Sequence, residues 1–196
     1  MTSASAPTPG VPSALRPTLP AWARVTPARL HHIQRVAELV TLWGAQLGVP
    51  DSERNRWLKA VWLHDALRDA PPEELERAAP SSLGPAELRH GPASAARAKA
   101  EGETDRGVLD AVRYHSVGLP EWDMVGRVLY CADYLEPGRT SAGPERMGLV
   151  ERFPSDPQGV LFSVARARLL HLIQSGWSIP QPTMRFWNSL AAASSR

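Results

Sequence analysis

From Pro27 to Leu190 apolar side chains recur at three- and four-residue steps, in segments closed by proline, glycine or a capping side chain. At about 3.6 residues per turn that spacing turns one helical stripe inward, whereas a half-buried strand alternates at every second residue. Thr26-Pro27 opens the first stripe, with Thr26 as cap, and Leu30, Ile33, Val36, Ala37, Val40, Trp43 and Leu47 follow it to Gly48 and Pro50. Asp51 is expected to cap a second helix, striped with Trp57, Leu58, Val61 and Trp62, which ends on His64-Asp65 before the Asp69-Ala70-Pro71-Pro72 break. Further helices are expected from Pro72 to Ala79, from His90-Gly91-Pro92 to Glu101-Gly102, and from a Thr104 cap through His115. Others run from Asp123 to Pro137-Gly138, from Asp156-Pro157 along Val160, Leu161, Val164, Leu169 and Leu172, and from Thr183 to Leu190. Residues 139–155 read as a loop. No alternating run makes a convincing strand, so the sequence predicts an all-α fold, a single helical bundle over residues 23–193.

Residues 1–22 are rich in proline, serine, threonine and alanine. With so few core-forming side chains they cannot offset the entropy of ordering, and they are expected to be a disordered, flexible tail. The single cysteine, Cys131, excludes an internal disulfide and suits a reducing compartment. No apolar run approaches the ~20 residues that span a bilayer, and the first residues lack the basic and apolar regions of a secretory signal. The chain is therefore expected to be cytoplasmic and free of membrane. A net charge of +2, with no clustered basic face, argues against a nucleic-acid partner. A homodimer is left open.

His64-Asp65 lies in the apolar frame Ala60-Val61-Trp62-Leu63 and Ala66-Leu67. An imidazole and a carboxylate are costly to bury unpaired, and a metal ion offsets that cost because both are good ligands. His32 shares the inward face of Ile33 and Val36, and Asp133 sits among the apolar residues of a later helix. His32, His64, Asp65 and Asp133 thus form a candidate metal-binding set of two nitrogens and two oxygens, with coordination positions left open for catalysis. His90 and His115, at helix ends or inward faces, could hold a second ion or grip phosphate oxygens. His31 points about 100° away from His32. His171 has no partner motif, Trp43, Trp57 and Trp62 read as core, and Cys131 as packing.

The order His32, Leu63-His64-Asp65-Ala66, Leu88-Arg89-His90-Gly91-Pro92, Arg113-Tyr114-His115-Ser116 and Ala132-Asp133-Tyr134-Leu135-Glu136-Pro137-Gly138-Arg139 resembles the HD-domain superfamily. More narrowly it is similar to the YqeK-type symmetrical bis(5'-nucleosyl)-tetraphosphatases of bacteria, over roughly residues 28–190. The resemblance implies an HD-domain bundle that binds one or two divalent or trivalent transition-metal ions, typically iron, through His32, His64, Asp65 and Asp133. It implies a dinucleoside polyphosphate substrate, diadenosine tetraphosphate, cleaved to two ADP. Asp65 would orient the attacking water, with His90 and His115 beside it as catalytic groups at the phosphates. Arg29, His90, His115 and Arg139 would contact the nucleotide, and the turn 176–181 with Trp187 would hold base or ribose. Arg68 stands where the family commonly has lysine, Ser116 where it has threonine, Leu119 where it has arginine, and Trp187 where it has tyrosine. Alternatives are another nucleotide substrate, such as (p)ppGpp or a dNTP, a non-catalytic nucleotide-binding regulator, and a diiron oxygenase.

Overall fold

The computed structural model describes residues 18–80, 85–138 and 143–194. Among these the chain is all-helical. The helices are α1 (Pro27–Gln46), α2 (Asp51–His64), α3 (Pro72–Ala78), α4 (His90–Ala100), α5 (Arg106–Tyr114), α6 (Met124–Leu135), α7 (Pro144–Arg152), α8 (Pro157–Gln174) and α9 (Gln181–Ser194), with a 3-10 turn at Ala86–Leu88 before α4. Helix α2 is central, packed against α1, α4, α5 and α6; α8 leans on α6, and α9 pairs with α8. The core runs through Ile33, Val36, Val40, Trp43, Trp57, Val61, Val112, Val128, Leu129 and Leu161, all essentially without solvent exposure. Burying each such side chain contributes about 1.5–3 kcal/mol. No helix among the described residues is long and apolar enough to cross a membrane.

Several helix starts follow the capping rules. Thr26 accepts a hydrogen bond from Arg29 N, Asp123 from Val125 N and Asp156 from Gly159 N. Three expectations need correction. Asp51 is the first residue of α2 rather than its cap; Pro50 holds that place, and the Asp51 carboxylate pairs with Arg54 instead. Asp105, not Thr104, caps α5. The segment 139–155, expected as a loop, contains α7. No residue of α7 is fully buried, and only Leu149 and Val150 lean on the core, too short an apolar stripe to register in the sequence. Tertiary contacts hold it: Trp43 stacks on Phe153 at 3.9 Å and its indole N–H donates to Val150 O at 3.1 Å.

Two features fix the ends of helices that carry polar residues inward. The chain entering α1 clamps the turn after α2: Arg24 N donates to Ala66 O, Asp69 N to Arg24 O, and Thr26 N and Oγ1 both to Asp69 Oδ2. Leu19 and Trp22, inside the stretch expected to be a tail, also pack on the core. The second feature is glycine. A Cβ on Gly91 would lie 2.9 Å from Val112 O, and α4 meets α5 this closely because none is there. Gly118, at φ +90°, lies so close under the Phe186 ring that a Cβ would be 2.2 Å from it, on the turn that follows His115.

Arg56 ties three elements together, bonding Glu53 on its own helix, the α5 cap Asp105 and the α6 cap Asp123. The hydrogen bond from Arg56 outweighs burial and holds the Asp105 carboxyl below the usual carboxylate range. The stabilising form is the ionised one, so its contribution is complete above the unfolded value near pH ~4 and fades as pH falls further. Asp105→Asn keeps a capping oxygen but drops the charge. It is expected to cost about 1 kcal/mol, or roughly 2–4 °C in Tm, at neutral pH. Thermal melts should show the gap closing below pH ~4; a gap that stays constant into acid would contradict the ion-pair origin.

Candidate metal centre and cavity

His64 closes α2 and is wholly buried. Its Nδ1–H donates to Val61 O at 2.7 Å, which leaves Nε2 as a lone pair, buried and without a hydrogen-bond partner, 3.6 Å from Asp65 Oδ2. Burial pushes its pKa down to about 4. His115, at the end of α5, repeats the arrangement with Val112 O at 2.8 Å, and His90, at the start of α4, with Glu87 O at 2.8 Å. Their Nε2 atoms come within 3.0 Å of each other. With each Nδ1–H committed to a carbonyl, two lone pairs meet there, and Ser116 Oγ stands 3.1 Å from His115 Nε2.

Asp65 sits between these groups, 3 % exposed. Its Oδ1 is 3.2 Å from His90 Nε2 and 3.6 Å from His115 Nε2. Its Oδ2 accepts a hydrogen bond from Arg29 Nη1 at 2.8 Å and lies 3.8 Å from His32 Nε2. His32, on α1, places Nε2 3.1 Å from Asp133 Oδ1 of α6, and its Nδ1 faces Glu136 Oε1 at 3.1 Å. Burial lowers the His32 pKa, yet Asp133 and Glu136 more than offset it and the net direction is up.

Donor atoms of His32, His64 and Asp65 lie within 4.8 Å of one another, and so do those of Asp65, His90 and His115. Lone pairs crowded this closely with too few protons between them repel, and a cation converts that repulsion into attraction. The imidazole and carboxylate donors suit a divalent transition metal. All six residues of the expected cluster are therefore brought together, with Asp65 common to both groups and Asp133 beside His32.

A cavity of about 890 Å³ opens on this cluster. Arg29, Arg68 and Arg168 stand around it, with Leu88, Leu172 and Trp177 among its apolar walls. The expected turn 176–181 contributes Gly176, Trp177, Ser178 and Pro180. Trp187 does not line the cavity: it packs against Phe162 at 5.0 Å, on the side where α9 meets α8. The aromatic residue at the cavity is Trp177, 62 % exposed. Arg139 lies outside the described residues. His31 is exposed, Cys131 is buried with its thiol pushed up, and the His171 ring meets the Trp177 ring at 5.6 Å.

Three participants were not singled out from sequence. Arg168, on α8, donates to Asp133 Oδ2 at 2.8 Å and lies 4.3 Å over the Tyr130 ring. Its signal was present, a cation within the stripe of Val160, Leu161, Val164 and Ala165, which the structure buries. Glu136 and Arg35 form the support behind His32, with Arg35 Nε donating to Glu136 Oε2 at 2.6 Å. Arg35 comes three residues after His32, on the same helical face.

The HD domain family model matches residues 29–138. The chain is 28% identical to the symmetrical bis(5'-nucleosyl)-tetraphosphatase of Bacillus subtilis over 143 residues, 69% of this chain and 76% of that protein. It is 30% identical to the protein of the same name from Halalkalibacterium halodurans over 105 residues, 53% of this chain and 55% of the relative. A match to the Staphylococcus aureus protein of that name is 29% identical and spans about half of each chain, 50% and 51%. Among solved structures, a predicted HD superfamily hydrolase involved in NAD metabolism from Clostridium acetobutylicum superposes with a TM-score of 0.75 at 22% identity, over 86% of this chain and 92% of that one. With the family match spanning the helices that carry His32, His64-Asp65, His90, His115 and Asp133, the chain belongs to the HD domain family.

Proposed function

We propose that this protein is a metal-dependent phosphohydrolase that cleaves diadenosine tetraphosphate symmetrically into two ADP; three relatives named symmetrical bis(5'-nucleosyl)-tetraphosphatase support the reading. The observation that carries the reading is the meeting of two buried donor sets on one carboxylate, Asp65, at the floor of an arginine-bordered cavity. His32, His64, Asp65 and Asp133 would hold one transition-metal cation, iron in the reading suggested by resemblance, and Asp65, His90 and His115 a second. Such a cation supplies Lewis acidity, which acidifies water and draws charge from a phosphoryl oxygen.

The protein's own groups do the rest. Asp65 orients the attacking water towards an inner phosphorus; a bond forms from the water oxygen to that phosphorus and its bond to the central oxygen between the two inner phosphorus atoms breaks, so one ADP leaves on that oxygen, the water's hydroxyl completes the second ADP, and the water's other proton passes to the leaving ADP or to solvent. Arg29, Arg68 and Arg168 neutralise the polyphosphate, and the buried Nε atoms of Arg29 and Arg168 have no hydrogen-bond partner among the described residues. His90 and His115 stabilise charge on the reacting phosphate. Trp177 offers an exposed ring for a nucleobase at the cavity's mouth. Arg139 is a further phosphate contact in this reading.

Protein purified without chelator is expected to carry stoichiometric transition metal, and Asp65→Ala to lose it, because both donor sets share that residue. Elemental mass spectrometry decides this; a metal-free parent protein would refute the centre as drawn. With diadenosine tetraphosphate, chromatography should find ADP as the sole nucleotide product. ATP and AMP in equal amounts would mean cleavage at an outer phosphate bridge and end the symmetrical reading. Arg68→Ala removes a cavity-lining cation whose Nη1 lies 3.3 Å from His90 Nδ1, the ring nitrogen turned away from Asp65, while His90 keeps its own bond to Glu87 O. Loss of a charge-assisted hydrogen bond of about 1.5–3 kcal/mol corresponds to roughly 10–100-fold in kcat/KM, with metal content unchanged. Unaltered kinetics over a full substrate titration would remove Arg68 from the site.

A further inference from the structure

Four histidines turn an Nε2 atom towards Asp65 or Asp133, and three of them orient their rings in one way. His64, His90 and His115 each donate Nδ1–H to the carbonyl three residues earlier, Val61 O, Glu87 O and Val112 O. Those residues lie at helix ends, where carbonyls and amides are left over from the helical ladder. His32 lies inside α1, five residues after its start, where the preceding carbonyls are engaged within the helix. Its Nδ1 turns instead to a carboxylate, Glu136 Oε1, at 3.1 Å.

Glu136 is 1 % exposed and held from three sides. Arg35 Nε donates to Oε2 at 2.6 Å, Arg35 Nη2 to Oε1 at 3.2 Å and Gly138 N to Oε2 at 2.8 Å. Gly138 carries no side chain, and Arg35 fills the place a Cβ would take, 2.0 Å from Nε. The carboxylate therefore cannot swing away from His32, and Arg35 keeps it ionised in a buried site. A charged acceptor on Nδ1–H raises the donor strength of the opposite nitrogen, whereas a neutral carbonyl does so weakly.

We infer that Glu136 is a positioning residue for His32 that sets the cation affinity of one half of the centre, His32, His64, Asp65 and Asp133, and leaves the other half, Asp65, His90 and His115, unaffected. The inference rests on the proposed metal centre. It assigns Arg35 a role too, since the guanidinium holds the carboxylate that holds the ring. The two halves differ accordingly: His32, His64 and Asp65 have Asp133 beside them and a carboxylate behind one histidine, whereas Asp65, His90 and His115 have backbone carbonyls behind both histidines.

The test is a chelator competition on the full-length apo protein reloaded with Co²⁺ alone, followed by the metal's ligand-field absorption, for the parent, Glu136→Gln and Glu136→Ala. Glutamine keeps an acceptor for Nδ1–H and loses the charge; alanine loses both. The tighter Co²⁺ step is expected to weaken about 10–100-fold in Glu136→Gln and further in Glu136→Ala, with its absorption bands shifted. The weaker step should stay within about twofold, as the second-shell effect acts through His32 only. Where a single step is resolved, it is expected to weaken about 10–100-fold in Glu136→Gln. Circular dichroism of the apo forms sets a temperature at which all are folded, and Arg35→Met, on a partly exposed side chain, gives a second route to the same loss. Unchanged Co²⁺ affinity and spectrum in both Glu136 variants, or equal weakening of both steps, would overturn the inference. A parent protein that takes up no Co²⁺ would instead refute the metal centre itself.

Discussion

One carboxylate, Asp65, has to stay buried and charged while its two oxygens face different sets of histidines, and most of the molecule serves that requirement. Taking such an ion out of water costs several kcal/mol unless it is fully partnered. Arg29 supplies one partner from α1, at 2.8 Å. The histidines of α2, α4 and α5 turn Nε2 lone pairs rather than protons towards it, so the remaining demand is for a cation. The clamp from Arg24 and Thr26 to Ala66 and Asp69 fixes the turn that carries Asp65, and Ser94 Oγ accepts from Leu67 N on its far side. A carboxylate on a mobile turn would instead rotate towards water and lose the cluster.

Close helix packing sets the remaining distances. The buried face of α4 is Gly91, Pro92, Ala93, Ser94, Ala95 and Ala98, small enough for α4 to sit tightly against its neighbours. At Gly91 this brings the chain against Val112 O and the His115 ring, and so places His90 Nε2 by His115 Nε2. Gly118 does the same on the other side of His115, where the chain turns beneath Phe186. Phe186 in turn meets Trp122 and Tyr130, so a residue of the last helix holds the turn after a cluster histidine. These are steric constraints, and a methyl group is enough to break them.

The cavity's charge comes from distant parts of the chain. Arg29 belongs to α1, Arg68 to the turn after α2 and Arg168 to α8. Arg168 also bonds Asp133, so the cationic wall and the donor set are one connected structure. An anionic ligand entering here meets Arg29 and Arg168 already held by carboxylates and by the Tyr130 ring, and Arg68 held by the Glu87 carbonyl, which reduces the ordering that binding must supply.

The sequence by itself determined the helical class, most helix starts and which buried histidines and aspartates are the candidate donors. Periodicity and caps are local, and a histidine or aspartate on an apolar stripe declares itself by its position. His32, His64, Asp65, His90, His115 and Asp133 were all legible in that way. What only the tertiary structure decided are the groups whose meaning depends on a partner far along the chain. Helix α7 has no buried stripe of its own and is held by Trp43 through Phe153 and Val150. Trp187 and Trp177 are equally aromatic in sequence, and only the packing of α9 on α8 turns one into the core and leaves the other at the cavity. Glu136 reads as a polar residue at a helix end; it becomes the support of His32 because α1 and α6 cross there, bringing together side chains 104 positions apart. Local chemistry decides which residues can bind a cation, and long-range packing decides which of them face each other.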